Sequence, residues 1–187
     1  RTAAEIPELY ARWAGEGARE IFFQTWGGDA SSLLRNAEGI RALGDRVVVK
    51  VPATRDGFAA ASALVRDGAT VLVTAVYSVA QALVCASIGA QYIAPYLGRM
   101  RDAGIDGDAV IARMQGMCAG SDSNVLAASL RSPDDITGLR LAGVPYFTAA
   151  PDVIEQMLFH GVSDSSAAEF DACLLYTSPS PRDVEES

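Results

Sequence analysis

An α/β fold is predicted, in the form of a (β/α)8 TIM barrel, and three observations predict it. Apolar strand candidates alternate strictly with helix candidates, which calls for parallel strands joined by crossover helices. Polar side chains gather at the carboxyl ends of five of those strands, as Gln24, Lys50, Thr74, Tyr96 and Ser129. A barrel collects such groups from many strand ends around one axis, whereas an open doubly wound sheet concentrates its site at a switch point, usually beside a Gly-rich phosphate turn. No GxGxxG or GxxxxGK turn occurs in the chain. The 187 residues fall short of the roughly 250 of a full barrel. The barrel is therefore read as amino-terminally truncated, with about six β/α units present.

The elements follow in chain order. RTAAEIPELYARWAGEG is a helix with neither an initiator methionine nor a strand to feed it, so the start is read as truncated. EIFFQ is the first strand, and Asp29 caps the helix in DASSLLRNAEGIRAL. VVVKV, closed by Pro52, is a run of β-branched residues of the kind covered on both faces of a parallel sheet. Thr54 caps the helix DGFAAASALVRDG, which stops at Gly. TVLVT precedes a helix capped by Ser78, and QYIAP precedes the helix DGDAVIARMQGMCAG. NVLAAS leads to Ser132 and Pro133, a cap followed by a proline suited to the first helical turn. YFTAA leads likewise to Pro151 and the helix PDVIEQMLFHG, with His160 read as helix-end structure. SDSSAAEFDA is helical, and CLLYTSPSPRD then breaks the pattern and resembles a translated library adapter. Residues 1–172 are read as the barrel domain and 173–187 as an adapter-derived or disordered tail.

Half of the residues are hydrophobic and 20% are charged, which fits one globular domain with a large core. A net charge of -8 disfavours non-specific attraction to nucleic acid or anionic lipid, so an anionic ligand needs a local Arg cluster. No stretch approaches the roughly 18 apolar residues of a membrane span, and the amino terminus has no apolar signal core; a cytoplasmic location is expected. Cys85, Cys118 and Cys173 show no metal spacing and are expected to be reduced.

Lys50 is the residue that demands a reason, because it interrupts an otherwise apolar strand. Its head either snorkels to water past the sheet end or is desolvated, which lowers an amine's pKa and arms it to attack a carbonyl. At the mouth of a barrel, walled by Val47, Val49 and Val51, it is placed as a Schiff-base nucleophile. Tyr96, two strands further round, could pass a proton, and Gln24 and Thr74 could orient a water beside it.

The stretch KVPATRDGFAAASALVRDGATVLVTAVYSVAQALVCASIGAQYIAPYLGRM is similar to the transaldolase and fructose-6-phosphate aldolase family of class I Schiff-base aldolases, the likeness running from about Glu20 to Phe170. The resemblance implies that Lys50 forms the Schiff base. Typical transaldolases carry glutamate where Gln24 stands and phenylalanine where Tyr96 stands. The Gln and Tyr found here look like the fructose-6-phosphate aldolase branch, which implies that Tyr96 is the general acid and base while Gln24 and Thr74 hold its water. Arg99 in PYLGR, and Ser129 with Arg131 in LAASLRSP, match the family's contacts to a substrate phosphate, and the LRS version looks like transaldolase. The family also uses an aspartate and an asparagine on its first two strands, which this chain lacks, so the piece could be inactive as it stands. Expected from the likeness are a sugar phosphate substrate, no metal or organic cofactor, and a homo-oligomer when full length.

Overall fold

The computed structural model of the chain describes residues 3–177. Two compact units are present, residues 1–149 and a carboxyl-terminal unit from Ala150 onward. Within the first, helices and strands alternate as α1 (Ile6–Gly15), β1 (Ile21–Gln24), α2 (Ala30–Arg41), β2 (Val47–Pro52), α3 (Arg55–Arg66), β3 (Val71–Val76), α4 (Val79–Ser87), β4 (Tyr92–Pro95), α5 (Leu97–Asp102), α6 (Gly107–Met117), β5 (Asn124–Leu130), α7 (Pro133–Leu141) and β6 (Tyr146–Ala149). All six strand candidates form strands.

The strands are parallel and lie in sequential order from β1 to β6. A doubly wound sheet reverses direction at its switch point; this sheet runs one way throughout, as a barrel wall does. It is also curled. Flat strands spaced about 4.8 Å apart would put β4 some ~14 Å from β1, beyond the reach of one tyrosine. Yet the Tyr92 hydroxyl of β4 donates to Glu20 Oε2, one residue before β1, at 2.8 Å. The product is a six-stranded half-barrel.

Side chains alternate across this wall. The outward set, including Val49, Val51, Val71, Val73 and Ile93, is fully covered, and each such side chain contributes about 1.5–3 kcal/mol of burial. Helices supply that cover: Trp13 of α1 stacks on Phe23 at 5.9 Å, and Ala60 and Ala61 bring α3 close to the sheet. The inward set is held in register by the pairings Gln24↔Lys50, Lys50↔Leu72 and Leu72↔Tyr92. Val48, Leu72, Tyr92 and Ala94, with Phe22, Tyr96 and Leu126 against them, form the inner cluster.

The four caps do what their chemistry requires. Asp29, Thr54, Ser78 and Ser132 each accept an orphan N–H three residues on, from Ser32, Gly57, Gln81 and Asp135. Pro133 stands in the first turn of α7. Asp106 caps α6 in the same way, accepting from Ala109. The six-residue helix α5 is too short to leave a periodic signal and was not predicted; its buried Leu97 and Met100, three apart, fix its inner face.

Gly57 tests how tightly α3 sits on β2. A Cβ there would lie 1.8 Å from the Pro52 carbonyl oxygen, a backbone atom with nowhere to go. Gly57→Ala is therefore expected to destabilise by about 3 kcal/mol, read as a lower thermal midpoint by calorimetry. An unchanged midpoint would show that α3 stands further off the strand.

The second unit holds α8 (Pro151–Leu158) and α9 (Gly161–Thr177). Pro151 opens α8 as the sequence predicts. His160 lies between the two helices and serves the start of α9, its Nδ1 accepting from Val162 N–H at 3.3 Å. The helix continues through Cys173 to Thr177, further than the sequence pattern indicates; residues 178–187 of the expected tail lie outside the described residues.

Candidate active site

A cavity of about 240 Å³ lies on the concave side of the sheet, lined by residues of every strand. Phe22 comes from β1, Lys50 from β2, Leu72 and Thr74 from β3, Leu126 and Ala128 from β5. Ala94 of β4 and Tyr96 just beyond it complete one side; Phe147 and Thr148 of β6 complete the other. Lys50 thus points inward, and the valines beside it in sequence do not wall it. Val49 and Val51 face the helices, and the amine's surroundings are Phe22, Leu72 and Leu126.

Burial alone lowers the Lys50 pKa from its ordinary value. No carboxylate pairs with it among the described residues, so nothing opposes that desolvation. It is also the single lysine of the chain, the other fourteen basic residues being arginines. Below it the strand is locked: its carbonyl accepts from Gln24 Nε2 at 3.0 Å and from Thr25 N–H at 2.9 Å.

Three predicted residues, Lys50, Thr74 and Tyr96, share this cavity. Gln24 joins them by contact: the Thr74 hydroxyl reaches its Oε1 at 3.5 Å and the Val51 carbonyl at 3.3 Å. Tyr96 is held on two sides, by the edge of Tyr77 at 6.2 Å and by the Arg99 guanidinium 5.2 Å from its ring centre.

Two strand ends near the cavity are bent into a conformation that residues other than glycine rarely adopt. Ala75 (φ 57°) and Ser129 (φ 58°) sit at bulges in β3 and β5. Each costs on the order of 1 kcal/mol, and such bulges re-aim the side chains around them. The phosphate set is less assembled than the catalytic one. Arg99 lies over Tyr96, but none of Arg99, Ser129 and Arg131 lines the cavity, and Arg131 is engaged by Asp102.

Several residues here were not predicted. Tyr92 forms the floor, tilted against Phe22 at 5.6 Å and edge-to-face with Tyr146 at 5.5 Å; burial and the Glu20 carboxylate raise its pKa, so it stays a donor. The period-2 spacing from Gln24 back to Phe22, Thr74 to Leu72, and Tyr96 to Ala94 and Tyr92 marks this inward set in the sequence. Asp135 was also missed. It accepts from the backbone N–H groups of Arg131 at 2.7 Å and Ser132 at 3.1 Å, and from Arg101 Nη1 at 2.6 Å.

Burial works to raise the Asp135 pKa, but those donors outweigh it and hold the carboxyl below its ordinary value. A depressed folded pKa means stability that is complete above the unfolded aspartate's ~3.9 and lost as pH falls through the folded value. Asp135→Asn is expected to cost roughly 2–3 kcal/mol at pH 7 by orphaning buried donors. The gap from the unmodified chain should narrow in urea titrations as pH falls below the unfolded aspartate's ~3.9. A gap that does not change with pH would show that the carboxylate charge is not what holds the loop.

Among the described residues no group of three or more His, Cys, Asp or Glu could hold a metal ion, and no helix is long and apolar enough to cross a membrane.

The six parallel strands form a curled wall consistent with a truncated barrel-like α/β fold. Two solved structures of mandelate oxidase, one with (S)-2-phenylpropionate and one with benzoyl-formic acid, superpose with TM-scores of 0.59 at 17% identity, over 77% of this chain and 51% of theirs. The chain spans about half the length of those proteins, and at this identity the likeness concerns the fold alone. Residues 8–179 match the family Transaldolase/Fructose-6-phosphate aldolase. The chain belongs to that family.

Proposed function

We propose that this chain carries the reaction face of a Schiff-base aldolase of the fructose-6-phosphate aldolase type, with Lys50 as nucleophile and Tyr96 as general acid and base. One observation supports it above the others: an amine whose pKa burial lowers, with no carboxylate paired to it among the described residues, shares a cavity with a phenol and a threonine hydroxyl. The donor is dihydroxyacetone, the acceptor glyceraldehyde 3-phosphate, and the ketose fructose 6-phosphate. The full barrel of eight units, a cytoplasmic setting in carbohydrate metabolism and assembly as a homo-oligomer belong to the same proposal.

In the cleavage direction the Lys50 amine adds to the ketose C2 carbonyl, and loss of water gives an iminium. Tyr96, through a water held by Gln24 and Thr74, takes the proton of the C4 hydroxyl. The C3–C4 bond then breaks; its electron pair moves into the iminium to form an enamine, and the aldehyde leaves. Tyr96 returns the proton to C3, and hydrolysis of the imine frees dihydroxyacetone and the amine. Synthesis runs these steps in reverse.

The alternative is a transaldolase of the pentose phosphate pathway, which hands the three-carbon unit to a second aldose without releasing it; the LRS at residues 130–132 favours that reading. Product analysis on fructose 6-phosphate separates the two. Free dihydroxyacetone without added aldose is expected; its appearance only as a transferred unit would replace lyase by transferase. Binding of the ketose without either product would leave a ligand-binding barrel fragment.

A further inference from the structure

Six of the ten residues that line the cavity, Phe22, Leu72, Ala94, Leu126, Ala128 and Phe147, offer it only hydrocarbon side chains. The polar remainder is Lys50, Thr74, Tyr96 and Thr148. Thr74 already has acceptors for its proton, in the Val51 carbonyl at 3.3 Å and Gln24 Oε1 at 3.5 Å. Among the described residues no arginine, aspartate or glutamate lines the cavity, so the cation on its wall is the one Lys50 carries, as ammonium or as iminium. An iminium in these surroundings is a charge in low dielectric, and any step that neutralises it is favoured. Aldol cleavage does so with the electron pair of a carbon–carbon bond, and it needs a base for the hydroxyl proton as well. Loss of carbon dioxide from a carboxylate β to the imine carbon moves the electron pair in the same way and needs no base. It also cancels the carboxylate's own charge. Attraction to the iminium draws the carboxylate in, while hydrocarbon walls withhold the hydrogen bonds that would stabilise it there. A step that destroys both charges is therefore faster in this cavity than in water.

We propose that the same cavity decarboxylates short β-keto acids, with Lys50 as the amine that carries the reaction. The inference rests on the Schiff-base reading of Lys50 given above and adds a second reaction to the aldol one. The amine adds to the ketone carbon, and loss of water leaves the iminium. The bond between the α carbon and the carboxylate then breaks; its pair becomes the carbon–carbon double bond of an enamine, the iminium π pair returns to nitrogen, and carbon dioxide departs. A proton from Tyr96, replaced from solvent, adds to the enamine carbon. Hydrolysis frees the ketone and the amine. In sum, one keto carboxylate and one proton become a ketone and carbon dioxide.

Acetoacetate is the probe. Borohydride added after incubation should leave a reduced adduct on the Lys50 peptide, with a share lighter by one carbon dioxide that grows with incubation time. Carbon dioxide release should exceed that from Lys50→Met, and from the same chain unfolded in urea, by about 10²-fold, because folding supplies both a larger neutral fraction of the amine and a drier site. Leu126→Gln puts an amide on the half-buried part of the wall. It is expected to slow release about tenfold per trapped imine, the scale on which a polar partner stabilises a buried charge. Leu126→Met keeps the volume and should stay within about twofold of the unmodified chain. Tyr96→Phe should cost less than about tenfold, since no hydroxyl proton is removed, against the 10²–10⁴-fold expected for aldol cleavage. The inference is overturned by release no faster than from the unfolded chain, by Leu126→Gln matching Leu126→Met per imine, or by a Tyr96→Phe loss as large as that for aldol cleavage. A Lys50 that traps dihydroxyacetone but holds acetoacetate with its carboxylate intact ends this inference and leaves the aldolase standing; absence of the dihydroxyacetone adduct removes the aldolase reading itself.

Discussion

Lys50→Met is expected to abolish turnover of fructose 6-phosphate and, in the same protein, to raise thermal stability. Loss of a covalent nucleophile removes the whole iminium route, and rates should fall on the order of 10⁵-fold or more. The stability gain follows from the amine's position. Its folded pKa is depressed by burial, so the unfolded chain holds the proton more tightly. Folding therefore bears a desolvation cost at neutral pH, which fades as pH rises from the folded pKa toward the ~10.4 of an unfolded lysine. Methionine fills similar space with no charge to desolvate. Steady-state kinetics and calorimetry at pH 7 measure both effects. A variant that loses activity and also melts earlier would mean that Lys50 holds the cavity together; one that keeps activity would remove the nucleophile assignment.

Tyr96→Phe should separate proton transfer from imine formation. The ring keeps its packing against Tyr77 and beneath Arg99, so the fold is expected to be unaffected. Only the hydroxyl goes. General acid and base catalysis by one positioned group contributes about 10²–10⁴-fold, and turnover should drop by that factor. Reduction-trapped adduct with dihydroxyacetone should still form on Lys50, because attack on a ketone does not require the phenol once the amine is neutral. Equal loss of trapping and turnover would mean that Tyr96 shapes the cavity for binding. Unchanged turnover would give the proton to another group.

What could be read from the residues alone was decided by how local the physics is. Strands of unbroken apolar residues and helix caps three residues from their N–H partners are local, and all six strands and all four named caps stand where the pattern puts them. Lys50, Thr74 and Tyr96 were legible for a related reason: a polar group closing an apolar strand is conspicuous, and sequential parallel order brings strand ends together. The cavity floor was not legible. Its members are as apolar as the outward set, so composition does not separate Tyr92 and Phe22 from Ile93 and Phe23; only counting back in twos from the polar strand ends does. The Arg131–Asp102 pair was not legible either, because its partners are 29 residues apart and on different elements. Sequence spacing places an arginine at a strand end, but only the packing at Gly98 turns its fork toward α5. Short α5 escaped for lack of length, although it carries both Arg99 and Asp102.

The composition of the chain makes one experiment unusually direct. With a single lysine, the primary amines are Lys50 and the chain's amino terminus, so an imine can be located by peptide mass alone. Incubation with dihydroxyacetone and borohydride, followed by digestion and mass spectrometry, should give one reduced adduct, on Lys50, that grows as pH rises toward the amine's ordinary range. No adduct, or one confined to the amino-terminal amine, would contradict a desolvated nucleophile in this cavity and the Schiff-base chemistry built on it.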